Sequence, residues 1–215
     1  MPLNDPRDPK SLSSKFRAKR AVALRKQLLR SGRRVLDLGG TSNYWRGIGI
    51  DFLQKNGFEI TILNFEASEL GEGPFTTLVG DACNVDAPDM AFDFVHSNSV
   101  IEHVGSWERM QMFAREVRRL APAYYVQTPN WWFPIEPHFY KVPMFQWLPE
   151  AVRASILQHL PVAHAGRIPD RQRALEIVRS TRLLTPAQMR RLFPDGQLIR
   201  ERLLGMTKSL IMVRD

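Results

Sequence analysis

The sequence predicts an α/β protein with a doubly wound, mostly parallel seven-stranded sheet, helices on both faces and an antiparallel C-terminal strand. Five short apolar segments between residues 33 and 128 predict buried strands. The first of them runs directly into a glycine turn. Two further strand-like segments, 197–204 and 208–213, close the chain and suit an antiparallel pair. We expect one domain over residues 1–215.

The first strand and its glycine turn occupy residues 33–43, Arg-Arg-Val-Leu-Asp-Leu-Gly-Gly-Thr-Ser-Asn. Gly39 and Gly40 allow the backbone to turn tightly and to approach a ligand that a Cβ would block. Asp37 is placed to accept hydrogen bonds or to balance positive charge. The turn therefore predicts a nucleotide-like ligand at the end of this strand; a strand–turn–helix without a ligand is the alternative.

Three further predicted strands end in residues that can form hydrogen bonds. They are 58–66 with Asn64 and Glu66, 75–82 with Gly80, Asp81 and Ala82, and 91–103 with Asn98. In an open parallel sheet, ligands bind outside the carboxyl ends of the strands. These residues therefore extend the predicted ligand site beyond the glycine turn.

In this order, the motifs resemble those of class I S-adenosylmethionine-dependent methyltransferases, in the small-molecule, type 11-like branch. Residues 37–43 are similar to the family's first motif, 80–82 to its adenine-contacting motif, and 97–104 to the segment after strand four. The resemblance implies a Rossmann-like methyltransferase fold and S-adenosylmethionine as cofactor. The cofactor-binding residues that it implies are Asp37, Gly39, Gly40, Asn43, Asn64, Glu66, Asp81, Ala82 and Asn98.

The chain departs from the family pattern at two places. Thr41 and Asn43 stand where the first motif usually has glycines, and Asn64 stands where strand two usually ends in an acid. Glu66 follows two residues later. These departures concern the ribose contact rather than the fold.

Composition limits the class of protein. The chain has 215 residues, 44% of them hydrophobic, which is enough for one substantial core. No apolar run approaches the roughly 20 residues that span a bilayer, and no signal-peptide pattern begins the chain. The single cysteine, Cys83, excludes an intrachain disulfide. We therefore expect a cytoplasmic protein without a transmembrane segment.

The net charge of +8 is concentrated near the N-terminus. Residues 10–34 contain ten Lys or Arg and no Asp or Glu. We predict a loose tail over 1–10 and a basic helix over 11–32. Such a helix can attract an anionic partner, either RNA or an anionic lipid surface. The alternative is a solvated helix face that keeps the protein soluble. The oligomeric state does not follow from the sequence.

Helical spacing predicts a helix over 106–120, followed by a fifth strand over 123–128. Pro186 and Thr185 predict a short helix over 186–193, with Thr185 as its N-cap. Between strand five and this helix, residues 129–149 contain seven of the 21 aromatic residues and five of the 15 prolines. We interpret 129–180 as a lid and substrate-pocket insertion; a hydrophobic plug is the alternative.

Glu136 and His138 lie inside this apolar segment. A carboxylate and an imidazole in a dry pocket can shift each other's pKa and provide a general base. His103, in the turn after strand four, is the competing candidate. A metal held together with His96 or His103 is disfavoured, because the spacing matches no strong metal signature. Structural roles, in which Glu136 binds loop amides and the histidines anchor turns, remain alternatives.

The predicted function is methyl transfer to an oxygen or nitrogen of a small molecule such as a sugar, quinone or secondary metabolite. The resemblance, and no single residue, implies this acceptor class. An RNA methyltransferase that uses the basic helix and a non-catalytic S-adenosylmethionine-binding protein are the alternatives. A nicotinamide dehydrogenase is disfavoured, because residues 39–44 lack the Gly-x-Gly-x-x-Gly pattern.

Overall fold

A computed structural model describes residues 12–67, 69–162 and 166–215, with side chains from residue 16 onwards. The tail predicted at 1–10 lies outside the described residues. The seven strands are β1 (Arg34–Leu38), β2 (Glu59–Asn64), β3 (Phe75–Val79), β4 (Phe94–Asn98), β5 (Ala123–Pro129), β6 (Gln197–Leu203) and β7 (Met206–Arg214). They form one sheet with the order β3-β2-β1-β4-β5-β7-β6.

The pairing of the strands confirms the predicted fold class. β1 pairs in parallel with both β2 and β4, and β2 pairs in parallel with β3. β6 and β7 form the expected antiparallel pair at the C-terminus. Because β1, β2 and β3 run in the same direction, their carboxyl ends lie at one edge of the sheet, where a parallel sheet binds its ligands.

Three helices lie within the segments 11–32, 106–120 and 186–193, where the sequence predicted them. The α-helices of the described residues are α1 (Leu12–Arg30), α2 (Ser42–Ile48), α3 (Ile50–Lys55), α4 (Trp107–Leu120), α5 (Glu150–His159), α6 (Arg171–Arg179) and α7 (Pro186–Leu192). Thr185 caps α7 in a capping box with Gln188, which confirms the predicted N-cap. Within the described residues, no helix has both the length and the apolar composition that crossing a bilayer requires.

The chain divides into two compact units. The first contains the described residues up to His96, together with Arg118–Tyr125 and Asp215. The second contains Ser97–Val117 and Val126–Arg214. The first unit includes β1, β2 and β3 with their connecting helices, and the second includes the whole segment predicted as an insertion. The single domain predicted over 1–215 stays a prediction.

β2 and β3 end earlier than the segments 58–66 and 75–82 that the sequence predicted, whereas β4 runs into a turn as expected. β3 ends at Val79, because the backbone and side chain of Asp81 accept the N–H groups of Asn84 and Cys83 at 2.9 Å and turn the chain. β4 ends at Asn98, and a single 3₁₀ turn, Ile101–His103, follows it. The residues beyond these ends therefore form turns at the edge of the sheet rather than longer strands.

The segment between β5 and α7 has a hydrophobic core of its own. Its buried members are Phe139, Phe145, Ala154, Leu157, Val162, Ala174 and Val178. The rings of Phe139 and Phe145 stack with centroids 4.2 Å apart. Over 129–149 the chain forms only two short 3₁₀ turns, Pro137–Phe139 and Phe145–Trp147, as its prolines predicted. The insertion is thus a packed element, and its role as a lid stays a prediction.

Asp93 stabilises the start of β1 within the first unit through three hydrogen bonds. Its Oδ2 accepts the backbone N–H groups of Arg33 and Arg34 at 2.8 and 2.9 Å, and its Oδ1 accepts from the Arg34 guanidinium at 2.7 Å. The hydrogen bond from the Arg34 side chain holds the pKa of Asp93 below its ordinary value, against the opposing effect of burial. Asp93 therefore stabilises the fold in its ionised form.

We expect Asp93→Ala to lower the free energy of unfolding by about 1–2 kcal/mol at neutral pH, because three donors lose their acceptor. This loss in the free energy of unfolding is fully present above pH 3.8, the ordinary pKa of an aspartate. It becomes smaller as the pH falls through the lower pKa that Asp93 has in the folded protein. Urea titrations at several pH values measure it. Asp89→Ala, which removes an exposed ion pair with Arg119, is the control and costs less than about 1 kcal/mol. Equal effects of the two substitutions would contradict the prediction.

Candidate functional site

Gly39 and Gly40 form the turn at the end of β1. Gly39 has a φ of +70°, in the left-handed region, and its N–H donates to the Leu63 carbonyl at 2.8 Å. The Gly40 carbonyl accepts from the Asn64 side-chain amide at 3.0 Å, which joins the turn to the end of β2. A Cβ on Gly40 would lie only 1.5 Å from Asp37 Oδ2. The turn therefore needs glycine at position 40 for a packing reason that the motif alone does not reveal.

Asp37 is fully buried and makes two short hydrogen bonds. The Trp45 indole N–H donates to Oδ2 at 2.6 Å, and His96 Nδ1 lies 2.7 Å from Oδ1. The second ring nitrogen of His96 lies 3.2 Å from the Tyr44 hydroxyl. Tyr44 and Tyr125 both stack on the His96 ring, with centroids 4.9 and 5.7 Å away. Asp37 thus joins β1, the first turn of α2 and β4 through buried polar contacts.

Two predicted cofactor residues are half-buried at the ends of β2 and β3. Asn64 is the last residue of β2 and supports the glycine turn through its contact with Gly40. Asp81 lies two residues after β3, and its Oδ1 accepts the Cys83 N–H at 2.9 Å. Both side chains therefore hold turns at the edge of the sheet where the ligand is predicted.

The remaining predicted cofactor residues differ in exposure. Glu66 is exposed two residues after β2, and Ala82 is buried after β3. Asn43 is exposed on α2, where its Oδ1 accepts from Arg46 at 2.8 Å. Asn98 is half-buried as the last residue of β4 and belongs to the second unit. Their contacts with a cofactor stay predictions.

In the second unit, the structure brings together the three predicted catalytic residues. Glu136 is buried, and its carboxylate accepts both the backbone N–H of His138 and the His138 Nδ1–H. The Nε2 atom of His138 lies 3.1 Å from Nε2 of His103. The Nδ1 atom of His103 lies 3.3 Å from the Ser180 carbonyl. In both histidines, Nδ1 contacts an oxygen of the protein, and the two Nε2 atoms face each other.

Glu102, which the sequence analysis did not select, completes this cluster. Its side chain is fully buried, and Oε2 accepts from the Thr128 hydroxyl at 2.9 Å. Its other carboxyl oxygen, Oε1, is buried without a hydrogen-bond partner among the described residues. Burial raises the pKa of Glu102 to about 7, although the hydrogen bond from Thr128 opposes the shift. A buried carboxyl group with one unsatisfied oxygen is costly, so Glu102 is a candidate functional residue.

The pKa values of the two histidines move in opposite directions. Burial lowers the pKa of His138, but the hydrogen bond and charge of Glu136, with a contribution from Glu102, raise it by more. The pKa of His103 is lowered, first by burial of its ring and then by the charge of His138. The environment thus favours a positive charge on His138 over one on His103.

Sequence reasoning missed Trp45 and Glu102 and interpreted His96 differently. His96 was considered as a metal partner for His138, but its ring nitrogens contact Asp37 and Tyr44 in the first unit. His96 contacts Asp37 because the parallel pairing of β1 and β4 places these two residues opposite each other. That register cannot be read from the sequence alone. Glu102 could have been found, because it is adjacent to His103 in the same polar turn.

The fold is that of an α/β protein, and its polar strand ends form a candidate nucleotide-type site. A family profile described as a methyltransferase domain matches residues 13–146, and the chain belongs to that family. This confirms the class I S-adenosylmethionine-dependent methyltransferase predicted from the motifs, with S-adenosylmethionine as its cofactor. No curated protein matches the sequence significantly.

Solved structures share the fold at low sequence identity. A protein from Pyrococcus horikoshii OT3 has a TM-score of 0.58 and 16% identity, covering 97% of this chain and 93% of its own. The 1,6-didemethyltoxoflavin-N1-methyltransferase of Burkholderia thailandensis has a TM-score of 0.52 and 14% identity, covering 92% and 77%. A SAM-dependent methyltransferase from Aquifex aeolicus has a TM-score of 0.51 and 13% identity, covering 90% and 87%.

The residues at the edge of the first unit fit an adenosyl cofactor. The Gly39–Gly40 turn presents backbone without a Cβ, which permits close approach of a ligand. The adjacent strand ends carry an amide at Asn64 and carboxylates at Glu66 and Asp81, the groups that bind ribose hydroxyls and an adenine amine. The donor set and the shape of the turn are therefore compatible with S-adenosylmethionine.

Proposed function

We propose that this enzyme methylates an oxygen or nitrogen of a small, partly apolar molecule. The observation that carries the proposal is the aromatic surface of the insertion. Trp132, Tyr140 and Trp147 lie within 16 residues of one another and are 61%, 38% and 41% exposed. Exposed aromatic residues concentrated in one segment are typical of a recognition surface, because single exposed apolar residues are otherwise scattered.

The cofactor is assigned to the first unit. The cofactor lies close to the backbone of Gly39 and Gly40, where no Cβ blocks it. The Asp81 carboxylate accepts a hydrogen bond from the adenine amine, and Asn64 and Glu66 bind the ribose. When bound, S-adenosylmethionine supplies a methyl group already activated on a sulfonium. The chain's own residues then have to orient the acceptor and exclude water, which can contribute several kcal/mol to catalysis. On the acceptor side, His103, His138 and Glu136 are the proposed contact residues.

One structural relative supports this acceptor class. The Burkholderia enzyme was solved with 1,6-didemethyltoxoflavin and S-adenosylhomocysteine bound, so the acceptor of that enzyme is a small molecule. Its fold covers most of this chain. This likeness favours a small-molecule acceptor for the present enzyme, while the identity of that acceptor stays open to a screen.

The contacts of the basic N-terminal segment give less support to RNA as the acceptor. Arg25 donates to the Ile48 carbonyl and lies over the Phe52 ring. Three further arginines of this segment contact acidic or aromatic partners in the same unit: Arg30 with Asp215, Arg33 with Phe58 and Arg34 with Asp93. Four of the ten basic residues of this segment thus have partners within the unit, which leaves less charge for an RNA footprint and favours the solvated-face interpretation.

The cofactor assignment predicts that S-adenosylhomocysteine binds the wild type and binds Asp81→Ala more weakly, by about 1–3 kcal/mol, because a hydrogen-bond acceptor is lost. Isothermal titration calorimetry measures both affinities. Asp86→Ala, an exposed carboxylate five residues away, is the control and should bind like the wild type. Unchanged affinity in a folded Asp81→Ala protein would refute the assignment of Asp81.

The acceptor class is tested by methyl transfer from labelled S-adenosylmethionine. A panel of sugars, quinones, phenols and heteroaromatic amines is compared with total RNA. We expect turnover with a member of the small-molecule panel and none with RNA. Labelling of RNA alone would overturn the proposal in favour of an RNA methyltransferase. Cofactor binding without transfer to any acceptor would favour the non-catalytic alternative.

A further inference from the structure

The second unit contains a set of converging ligand atoms that the methyl-transfer proposal does not require. Glu102, His103 and His138 each direct one carboxylate oxygen or ring nitrogen into a common space, and these atoms lie within 4.8 Å of one another. We propose that these three residues bind a divalent transition-metal ion, with Zn²⁺ as the reference ion. The site shares His103 and His138 with the proposed acceptor contacts, but its test measures metal binding and needs no acceptor, so it can fail or succeed separately from the proposed function.

The distance between the two imidazoles fits such an ion. Zinc binds histidine nitrogen at about 2.0–2.1 Å. Two nitrogens bound to one ion at angles between about 90° and 110° are therefore separated by about 2.9–3.4 Å. The Nε2 atoms of His103 and His138 are separated by 3.1 Å. The ligand atom that Glu102 offers lies within 4.8 Å of the ligand nitrogens of both histidines.

The contacts of the two Nδ1 atoms favour lone pairs on the facing Nε2 atoms. His138 Nδ1–H donates to the Glu136 carboxylate, which leaves Nε2 of that ring without a proton in the neutral form. His103 Nδ1 lies 3.3 Å from the Ser180 carbonyl, and a carbonyl can only accept; the Thr181 hydroxyl is farther, at 3.4 Å. Two facing lone pairs at 3.1 Å repel each other, and either a proton shared by the two rings or a metal ion between them removes the repulsion.

The hydrogen bonds made by the Nδ1 atoms of the two rings have the form that metal-bound histidines adopt. A metal-bound histidine almost always donates its other N–H to a carboxylate or a backbone carbonyl. Glu136 provides the carboxylate for His138, and Ser180 provides the carbonyl for His103. These contacts orient both rings, and they are compatible with the tautomers in which each Nε2 can bind a metal.

Glu102 supplies the independent sign of a ligand. Its side chain is fully buried, and Oε1 has no partner among the described residues. Thr128 binds only the other oxygen, Oε2. An ionised carboxylate in such a place needs a compensating positive charge, which a bound cation provides. A metal therefore resolves both the unsatisfied oxygen and the facing imidazoles.

The ligand types select the class of metal. Two imidazoles and one carboxylate are the set found in open zinc sites and in other first-row transition-metal sites, whereas Mg²⁺ and Ca²⁺ prefer oxygen ligands only. Three protein ligands leave at least one position for water or another donor atom. His103 is exposed and His138 is 30% exposed, so an ion can enter from solvent.

The test uses the full chain after dialysis against a chelator. Titration calorimetry with Zn²⁺ is expected to give one ion per chain, and Mg²⁺ is expected to give no comparable binding. Co²⁺ is expected to produce the visible absorption bands of a low-coordinate site with nitrogen ligands. Glu102→Gln, His103→Ala and His138→Ala should each weaken Zn²⁺ binding more than about tenfold, and Glu136→Gln by about 10–100-fold through the orientation of His138.

His159→Ala is the matched control, because His159 is an exposed histidine of the same unit outside the cluster. It should bind Zn²⁺ like the wild type. Circular dichroism of every variant checks that it is folded. Absence of stoichiometric Zn²⁺ binding by the wild type would overturn the proposal and indicate a proton shared by the two rings. Binding that survives all three ligand substitutions in folded proteins would also overturn it.

Discussion

Replacing Gly40 with alanine is expected to abolish measurable S-adenosylhomocysteine binding and to destabilise the protein by about 3–5 kcal/mol. The new Cβ would lie 1.5 Å from Asp37 Oδ2, a distance that no pair of unbonded atoms can adopt. The carboxyl group of Asp37 is buried and bound by Trp45 and His96, so it cannot move aside without breaking buried hydrogen bonds. The turn itself would then have to shift.

Gly47→Ala is the matched control for this prediction. Gly47 lies in α2, seven residues farther along the chain, and a Cβ there has no atom within 4 Å. Alanine in a helix interior is more favourable than glycine by about 0.5–1 kcal/mol, so this variant should be slightly more stable than the wild type. Thermal melts and calorimetry measure both variants. A Gly40→Ala protein with wild-type stability and affinity would show that the turn tolerates a side chain.

The sequence predicted those features that depend on residues close together in the chain. Thr185 and Gln188 form the cap of α7 over only three residues, and the spacing that predicted it is local. The glycine turn was likewise visible, because Gly39 and Gly40 directly follow an apolar strand. Local patterns of this kind determine where a helix begins or a strand ends, and they placed the glycine turn at the end of β1.

Features that depend on the register of distant strands could not be predicted. Asp37 and His96 are 59 residues apart, and they meet only because β1 and β4 pair with these two residues opposite each other. A shift of one residue would send one of the two side chains to the other face of the sheet. The approach of His103 to His138 similarly depends on how the insertion folds on its own core, which hydrophobic composition alone does not specify.

The position of Asp37 also changes the interpretation of the first motif. Asp37 was predicted as a cofactor residue, but both its oxygens accept hydrogen bonds from side chains of the protein. We therefore expect its effect on the predicted cofactor site to be exerted through the turn that Gly39 and Gly40 form. A positioning residue of this kind should influence stability at least as strongly as affinity, and this expectation can be measured.

We expect Asp37→Ala to lower the free energy of unfolding by about 3–5 kcal/mol. The substitution leaves the Trp45 indole N–H and one nitrogen of His96 buried without their acceptor, and an unsatisfied buried donor costs about 1–3 kcal/mol. The cavity left by the carboxyl group adds to this cost. Denaturant unfolding measures the change. Asp51→Ala, an exposed carboxylate in the first turn of α3, is the control and should cost less than about 1 kcal/mol.

A double-mutant cycle with Trp45→Phe separates the hydrogen bond from the general loss of packing. Phenylalanine keeps a buried aromatic ring but removes the indole N–H that Asp37 accepts at 2.6 Å. If this bond carries part of the stability, Trp45→Phe should cost less in the Asp37→Ala background than in the wild type, with a coupling energy of about 1–3 kcal/mol. Strictly additive effects would mean that the two side chains act independently, and Asp37 would then stabilise the turn through His96 alone.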